Sequence, residues 1–157
     1  MSDASFEDGT EKPLRLVAFA DEDLQVLSSL AQDAVFPATE MSWRRNDRRF
    51  AILLNRFRWE DADAAERRSR SFERVQSLLT IEQVQGVRSQ GVSRDADTVL
   101  SLLSVTFEPG PDAAGTVILT LAGDGAIAID VEALEVTLRD VTKPYVAPSK
   151  SRPDHEV

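Results

Sequence analysis

The stretch "MSWRRNDRRFAILLNRFRWED", Met41 to Asp61, decides the fold because it holds two strand-like runs on either side of a polar pair. The runs are Thr39–Arg45 and Arg48–Trp59, and Asn46-Asp47 separates them. Asparagine and aspartate tolerate the positive φ angles that a two-residue hairpin turn requires. The sequence therefore predicts a β-hairpin with its turn at Asn46-Asp47.

A two-residue turn fixes which side chains of the two strands lie opposite each other. Trp43 then faces Phe50 and Met41 faces Ile52, while Leu54 follows on the same side of the second strand. Because side chains alternate along a strand, these apolar residues share one face. We expect that face to point into the core.

Six of the chain's fifteen arginines lie in this stretch: Arg44, Arg45, Arg48, Arg49, Arg56 and Arg58. The predicted register sets Arg44 opposite Arg49 and Arg45 opposite Arg48, and such like-charge pairs cost roughly 0.2–1 kcal/mol each. Arginine binds carboxylate and phosphate groups through paired hydrogen bonds and stacks on aromatic rings. All six arginines, together with Trp59, are therefore candidate binding residues. The opposing interpretation is that they are solvated and pair with the chain's many acids.

Arg56 and Arg58 form a second group, since alternation puts them on the face that Phe50 begins. One alternative is that the strand runs past the edge of the core, so that both arginines form a basic rim. The other is that a bulge re-aims them, and Phe57 or Trp59 packs inward instead. The sequence leaves both alternatives open.

The 157-residue chain is acidic, with a net charge of −9, but the charge is unevenly distributed. Residues 1–43 carry −7, residues 44–74 carry +4 and residues 75–157 carry −6. An acidic protein repels nucleic acid, so this balance argues against a broad nucleic-acid surface. An acidic protein partner, or self-association through the acidic N-terminal segment, fits the basic patch better.

The residue inventory leaves little room for catalysis. The chain has no cysteine, and its one histidine, His155, lies near the C-terminus, so the usual triads and zinc sites lack their key residues. Asp95, Asp97 and Asp124 could bind a hard cation, but their turn contexts favour bonds to neighbouring backbone. We predict no metal, no cofactor and no catalytic residue. An enzyme would have to rely on Asp, Glu, Arg, Ser or Lys alone.

Outside the hairpin the sequence indicates one helix and further strands. Asp21 is a candidate N-cap for an amphipathic helix over residues 22–33. The charged connector at residues 60–73 fits a short exposed helix or a loop equally well. Residues 131–141 favour a strand with a bend near Glu132-Ala133 over a helix. The other strand candidates are Leu14–Phe19, Arg74–Gln83, Gln85–Val92, Thr98–Glu108, Gly115–Ala122 and Ala126–Val131.

These elements predict an α+β protein that is mostly antiparallel β, namely a barrel or strongly curved sheet of about eight strands with one helix near the N-terminus. We expect an acidic flexible tail at residues 1–12, one β-rich domain at residues 13–143 and a proline-rich tail at residues 144–157. The N-terminal residues lack the features of a secretory signal, and no apolar run approaches the roughly 18 residues of a membrane span. A cytoplasmic location without membrane contact is therefore expected.

Three segments resemble an uncharacterised family of small bacterial proteins, found mainly in alphaproteobacteria and known only as a domain of unknown function. They are "RRFAILLNRFRWED", "VLSLLSVTFEPGPDAAGTVILTLAGDGAIAIDVEALEVTLRDV" and "SRPDHE". The resemblance covers residues 12–156, and Leu54–Asp61 is its most specific part. It implies a bacterial cytoplasmic protein, and it brings no activity, cofactor or catalytic residue.

Two functions of different classes are compatible with these features. The first is a non-enzymatic binding protein that presents the arginine-rich hairpin to an acidic partner or an anionic ligand. The second is an enzyme or small-molecule binder that uses carboxylates and arginines in the mouth of a barrel. A concave arginine-lined pocket with an inward carboxylate would favour the second function, and a flat or convex arginine tip would favour the first.

Overall fold

The structure is a computed structural model that describes residues 12–93, 95–147 and 153. Across these residues, an eleven-stranded sheet and two α-helices form the fold. The helices are α1 (Asp21–Ala31) and α2 (Trp59–Arg67), and a 3-10 helix spans Ala38–Glu40. The strands are β1 (Arg15–Ala18), β2 (Val35–Pro37), β3 (Met41–Arg44), β4 (Arg49–Phe57), β5 (Glu73–Ile81), β6 (Val84–Gln90), β7 (Val99–Pro109), β8 (Gly115–Leu121), β9 (Ala126–Val131), β10 (Val136–Asp140) and β11 (Tyr145–Val146).

The strands pair antiparallel in the order β1-β10-β5-β4-β2-β7-β8-β9-β6. In addition, β3 pairs with β4 and β11 pairs with β5. The mostly antiparallel prediction is therefore confirmed. Within the described ranges the pairing begins at β1 and ends at β6 without joining them, so the sheet is open and the predicted barrel is not confirmed.

The sheet has more strands than the predicted number of about eight. Two of the additional strands, Val35–Pro37 and Tyr145–Val146, have three and two residues. Such short strands show no alternation of apolar and polar residues, which is the signal that sequence analysis uses. The second of them lies in the expected proline-rich tail. Residues 1–11, 148–152 and 154–157 of the two expected tails lie outside the described residues.

Strands β3 and β4 form the predicted hairpin with the predicted register. Met41 pairs with Ile52, and Trp43 pairs with Phe50. Phe50, Ile52 and Leu54 are buried, whereas Met41 and Trp43 are half-buried at the edge of the core. The hairpin's apolar face is therefore confirmed as part of the core.

The turn of this hairpin differs from the prediction. It has four residues, 45–48, and the N–H of Arg48 donates to the carbonyl of Arg45 at 3.1 Å. Arg48, with a φ of 54°, takes the left-handed conformation that was predicted for Asn46-Asp47. The register is unchanged because a four-residue turn and a two-residue turn here share the same centre.

Helix α1 packs Leu24, Leu27 and Ala31 into the core. It begins at Asp21 and follows Ala20 as N-cap, so the prediction that Asp21 is the cap is wrong. The acidic residues of the first turn still lie where the helix dipole favours negative charge. The amphipathic helix itself is confirmed.

Helix α2 is a second helix, and the prediction of one helix is therefore wrong. Strand β4 ends at Phe57, and Trp59, which was expected to end the strand, is the first residue of the helix. Ala62 and Ala65 are buried, so one face of the helix is covered and the helix is not fully exposed. For the charged connector, the helical alternative holds over its first half.

The ambiguous stretch at residues 131–141 contains a break between two strands. Strand β9 ends at Val131, and strand β10 begins at Val136. The N–H of Glu132 donates to the carbonyl of Gln83 at 2.9 Å, which joins this connection to the one between β5 and β6. The strand interpretation and the bend near Glu132 are therefore confirmed.

Candidate functional site

The outer face of β1, β10, β5, β4 and β3 carries side chains in three rows that cross the strands. The first row holds Arg15, Arg139, Leu78 and Leu53, the second holds Thr137, Thr80, Ala51 and Ser42, and the third holds Glu135, Glu82, Arg49 and Arg44. The rows lie two residues apart along each strand, so they point to the same face, and the residues between them point to the core.

These rows line a groove of about 620 Å³, to which Glu40 also contributes. The middle row has short side chains and forms the floor. The first row, with arginines and leucines, and the third row, with arginines and glutamates, carry the longer side chains and form the walls. The volume lies in the range of roughly 300–1,000 Å³ that is typical of ligand sites, but the lining is more polar than usual.

Four arginines line this groove as two directly opposed cross-strand pairs. Arg44 pairs with Arg49, and Arg15 pairs with Arg139. Arg49 also donates two hydrogen bonds to the carboxylate of Glu82, and this bonding raises the pKa of Arg49 above its ordinary value. In the part of the chain that the structure describes, Arg15 and Arg139 form no ion pair. One end of the groove therefore carries two exposed positive charges that no acid of the described residues neutralises.

The other two arginines of the hairpin tip, Arg45 and Arg48, lie outside the groove. They line a separate cleft together with Trp43 and strand β6. Arg48 forms an ion pair with Glu132 at 2.7 Å, and its hydrogen bond lowers the pKa of that carboxyl group. The predicted cluster of tip arginines is thus divided between two surfaces.

Arg56 is completely buried and joins four elements of the fold. Its guanidinium donates to Glu60 at 2.7 and 2.9 Å and to Asp140 at 3.0 Å, and its Nε donates to the hydroxyl of Ser77 at 2.9 Å. Asp140 also accepts hydrogen bonds from the Ser77 hydroxyl at 2.6 Å and from the N–H of Leu14 at 2.9 Å. Burial alone would lower the pKa of Arg56, but the two carboxylates outweigh it and raise the pKa.

Arg58 and Trp59 are bonded where β4 passes into α2. Arg58, which is also buried, donates to the carboxylate of Glu73. The indole N–H of Trp59 donates to the carbonyl of Gln32 at 2.9 Å, and its ring packs edge-to-face on Phe57 at a centroid distance of 4.7 Å. These contacts attach α2 to the sheet and to the end of α1.

Neither alternative for Arg56 and Arg58 holds in full, although Phe57 is buried, as the second one expected. The pairing of β4 with β5 continues without a shift from Phe50 to Phe57, so no bulge re-aims the two arginines. Their burial also excludes a basic rim. The face continues inward as a buried ionic network because acids from α2, β5 and β10 neutralise the two charges.

Of the predicted binding residues, Arg44 and Arg49 are those that the structure places in the groove. Its other two arginines, Arg15 and Arg139, did not emerge from the sequence. No local pattern connects them, and only the pairing of the first strand with the tenth brings them together. Among the described residues, no group of acidic or histidine side chains could hold a metal ion, and no helix is long and apolar enough to cross a membrane.

The fold and the groove define a small α+β protein with an open antiparallel sheet and an arginine-lined outer face. Residues 14–155 match the model of a family described as protein of unknown function, DUF2948. The chain belongs to this family, which confirms the resemblance to a domain of unknown function. Comparisons with curated proteins and with solved structures found no match.

Proposed function

We propose that this protein is a non-enzymatic binding protein that holds an anionic ligand, carried by an acidic partner, in the outer-face groove. The observation that supports the proposal is the presence of two arginine pairs, Arg44 with Arg49 and Arg15 with Arg139, on one concave surface. A bacterial cytoplasmic location, which the family resemblance implies, is part of the same proposal.

The energetics of the two pairs favour an anion in the groove. Like charges opposite each other on neighbouring strands cost roughly 0.2–1 kcal/mol per pair, and an anion bound between them removes this repulsion. An ion pair between an exposed arginine and a carboxylate contributes about 0–1 kcal/mol, so binding requires several such contacts together. The net charge of −9 opposes the approach of an anion, but salt screens distant charges beyond about 8 Å at physiological ionic strength. The charges inside the groove therefore dominate the interaction.

The shape of the site bears on the choice between the two functions. A concave arginine-lined pocket with carboxylates was the feature expected of a small-molecule site or an enzyme. The groove lies on the outer face of an open sheet, however, and the carboxylate of Glu82 is engaged by Arg49. A bonded carboxylate is poorly placed to transfer a proton, so the state of Glu82 supports binding, whereas Glu40 and Glu135, which also line the groove, are the carboxylates that an enzyme would have to use. The proposed ligand is the anionic one expected from the sequence, but its proposed site is the groove instead of the hairpin tip.

Fluorescence anisotropy with a fluorescein-labelled decaglutamate peptide tests this function. The groove variants are Arg44→Gln/Arg49→Gln and Arg15→Gln/Arg139→Gln, and each removes one pair of opposed charges. We expect each variant to weaken binding at least about tenfold, which corresponds to about 1.4 kcal/mol. Raising the salt concentration should weaken binding of the unchanged protein as well.

The variant Arg45→Gln/Arg48→Gln is the matched control. It removes the same number of charges from the same hairpin, but both residues lie outside the groove. We expect it to change affinity by less than about twofold, well under the tenfold step of 1.4 kcal/mol. If the control weakens binding as much as the groove variants do, or if decaglutamate does not bind, the proposal is wrong.

A further inference from the structure

The two arginine pairs lie at opposite corners of the groove. Arg15 and Arg139 are on the first two strands of the β1-β10-β5-β4-β3 face, in the first row, whereas Arg44 and Arg49 are on the last two strands, in the third row. With strands about 4.8 Å apart and about 3.4 Å per residue, the pair centres are separated by about 14 Å in each direction, or about 20 Å along the diagonal. A compact anion can therefore contact only one pair.

The other two corners of the groove differ from the arginine corners and from each other. Leu53 and Leu78 occupy the first row on β4 and β5, and both are half-buried. Glu82 and Glu135 occupy the third row, one residue beyond the end of β5 and one residue before the start of β10. An anionic ligand that lay along this second diagonal would meet the two glutamates at one end. The arginine diagonal is therefore the favoured path, with Leu53, Leu78 and the single acid Glu40 on one side and the two acids Glu82 and Glu135 on the other.

The floor between the arginine pairs offers hydroxyl groups. Ser42, Thr80 and Thr137 lie in the middle row, and none of their hydroxyls bonds to another residue of the described ranges. A hydroxyl both donates and accepts hydrogen bonds, so it can pair with either the N–H or the carbonyl of a peptide backbone. Thr80 lies on β5, at the midpoint of the diagonal.

We propose that the ligand of this groove is an extended acidic peptide segment that lies along the arginine diagonal, with one acidic cluster bound by each arginine pair. An extended chain spans at most about 3.3–3.6 Å per residue, so a path of about 20 Å separates the two clusters by about six positions. Neutral residues lie between them, and apolar side chains among these face Leu53 and Leu78. This inference rests on the proposed function, because it specifies the ligand of the same site.

A spacing series of peptides tests the inference on the full chain. All peptides have the same length and composition, with two Glu-Glu pairs in a background of serine and valine, and only the distance between the pairs changes. A two-point ligand binds best when its linker matches the span of the two sites. We expect affinity to peak when the pairs are about six positions apart and to fall at least about fivefold when they are adjacent.

The groove variants identify the two ends of the ligand. Either Arg15→Gln/Arg139→Gln or Arg44→Gln/Arg49→Gln should abolish the spacing preference, because a peptide held at one end gains nothing from a second cluster. The control Arg45→Gln/Arg48→Gln lies outside the groove and should retain the preference.

Equal affinity across the spacing series would overturn this inference. If the groove variants nevertheless bind the peptides more weakly than the unchanged protein does, the proposed function still stands. Inorganic phosphate that competes as strongly as the best peptide would also overturn the inference, because a compact anion would then be sufficient. A series in which no peptide binds would overturn the inference, while failure of decaglutamate to bind, or a control variant that loses as much affinity as the groove variants, would overturn both.

Discussion

Arg56 carries a positive charge into the interior with no part of its side chain exposed to solvent. Moving a charged group out of water costs several kcal/mol, and the cost is recovered only if the group is paired and its donors are bonded. Asp140, whose side chain is 4% exposed, and Glu60 provide this pairing. The buried network therefore makes the fold depend on charges that come from three different elements.

Substitution of Arg56 by Met should destabilise the protein by about 3–5 kcal/mol, because it leaves the carboxylate of Asp140 buried without its partner. Urea unfolding followed by circular dichroism measures the change. The double variant Arg56→Met/Asp140→Asn should recover part of the loss, since the buried Asp140 carboxylate is then neutral, while Glu60 is partly exposed and keeps its contact with Arg58. As a control, Arg88→Met breaks the exposed pair with Asp130 and should cost less than about 1 kcal/mol. A similar cost for both single variants would contradict the assigned role of the network.

Asp61 predicts a dependence of stability on pH. Burial alone would raise the pKa of this carboxyl group, but the hydrogen bonds and charge of Arg70 outweigh it and lower the pKa. A carboxyl group with a lowered pKa in the folded state stabilises the protein above its unfolded pKa of about 3.9, and this stabilisation is lost as the pH falls further. The free energy of unfolding should therefore fall more steeply below about pH 4 in the unchanged protein than in Asp61→Asn.

Urea unfolding at a series of acidic pH values checks this expectation. The variant Asp97→Asn removes a carboxylate from an exposed loop and is the control, so its curve should run parallel to that of the unchanged protein. At neutral pH, Asp61→Asn should already be less stable, because its Arg70 partner loses an ion pair. A stability difference between the unchanged protein and Asp61→Asn that stays constant with pH would contradict the assignment.

At the scale of elements, the sequence predicted what neighbours along the chain determine. Alternation and the centre of the turn predicted the hairpin register. The predicted register is correct although the predicted turn type is wrong, because both turns have the same centre. The sequence did not distinguish a helix from a loop at α2, because ion pairs with Arg56 and Arg58 stabilise this helix. Its residues Glu60 and Asp61 form these pairs. Local sequence patterns contain no information on such contacts between elements, so they could not predict this helix.

The β7–β8 hairpin provides a test at this scale. A methyl group at Gly115 would overlap the ring of Phe107 and lie 2.5 Å from the carbonyl oxygen of Glu108. Gly115→Ala should therefore destabilise the protein by about 1–3 kcal/mol, the usual cost of an overpacked site. In the control Gly86→Ala, the nearest atom is 4.0 Å away, so stability should be unchanged or rise by up to about 1 kcal/mol. Thermal unfolding of the two variants compares their stabilities. Equal midpoints would contradict the prediction, because they would show that β7 and β8 accommodate the methyl group without loss of stability.

At the scale of the whole molecule, the candidate site exists only in the assembled sheet. Arg15 and Arg139 stand near opposite ends of the chain, and each lies in a short strand that gives no local sign of its partner. The sequence also could not predict that the sheet is open, because alternation indicates where strands lie but not whether the first and last strands pair. Half of the groove's arginines could be predicted from the hairpin, and the other half required the strand order.

The connection of the N-terminal segment to the groove leads to a prediction for the whole chain. Residues 1–11 carry four acidic residues and no lysine or arginine, and Arg15 of the groove follows four residues after Glu11. A tethered acidic segment competes with an external ligand at a high effective concentration. A chain that lacks residues 1–11 should therefore bind decaglutamate at least about threefold more tightly in the anisotropy assay, with the gain set by that effective concentration.

A variant of full length in which the four acids, Asp3, Glu7, Asp8 and Glu11, are replaced by their amides separates charge from length. It should bind the probe as tightly as the shortened chain does, because competition depends on the carboxylates. A gain in the shortened chain alone would show that length obstructs the groove and would contradict the charge argument. Light scattering distinguishes the two geometries of competition: if the segment acts on the groove of a second copy, the intact chain is a dimer and both variants are monomers, whereas competition within one chain leaves all of them monomeric.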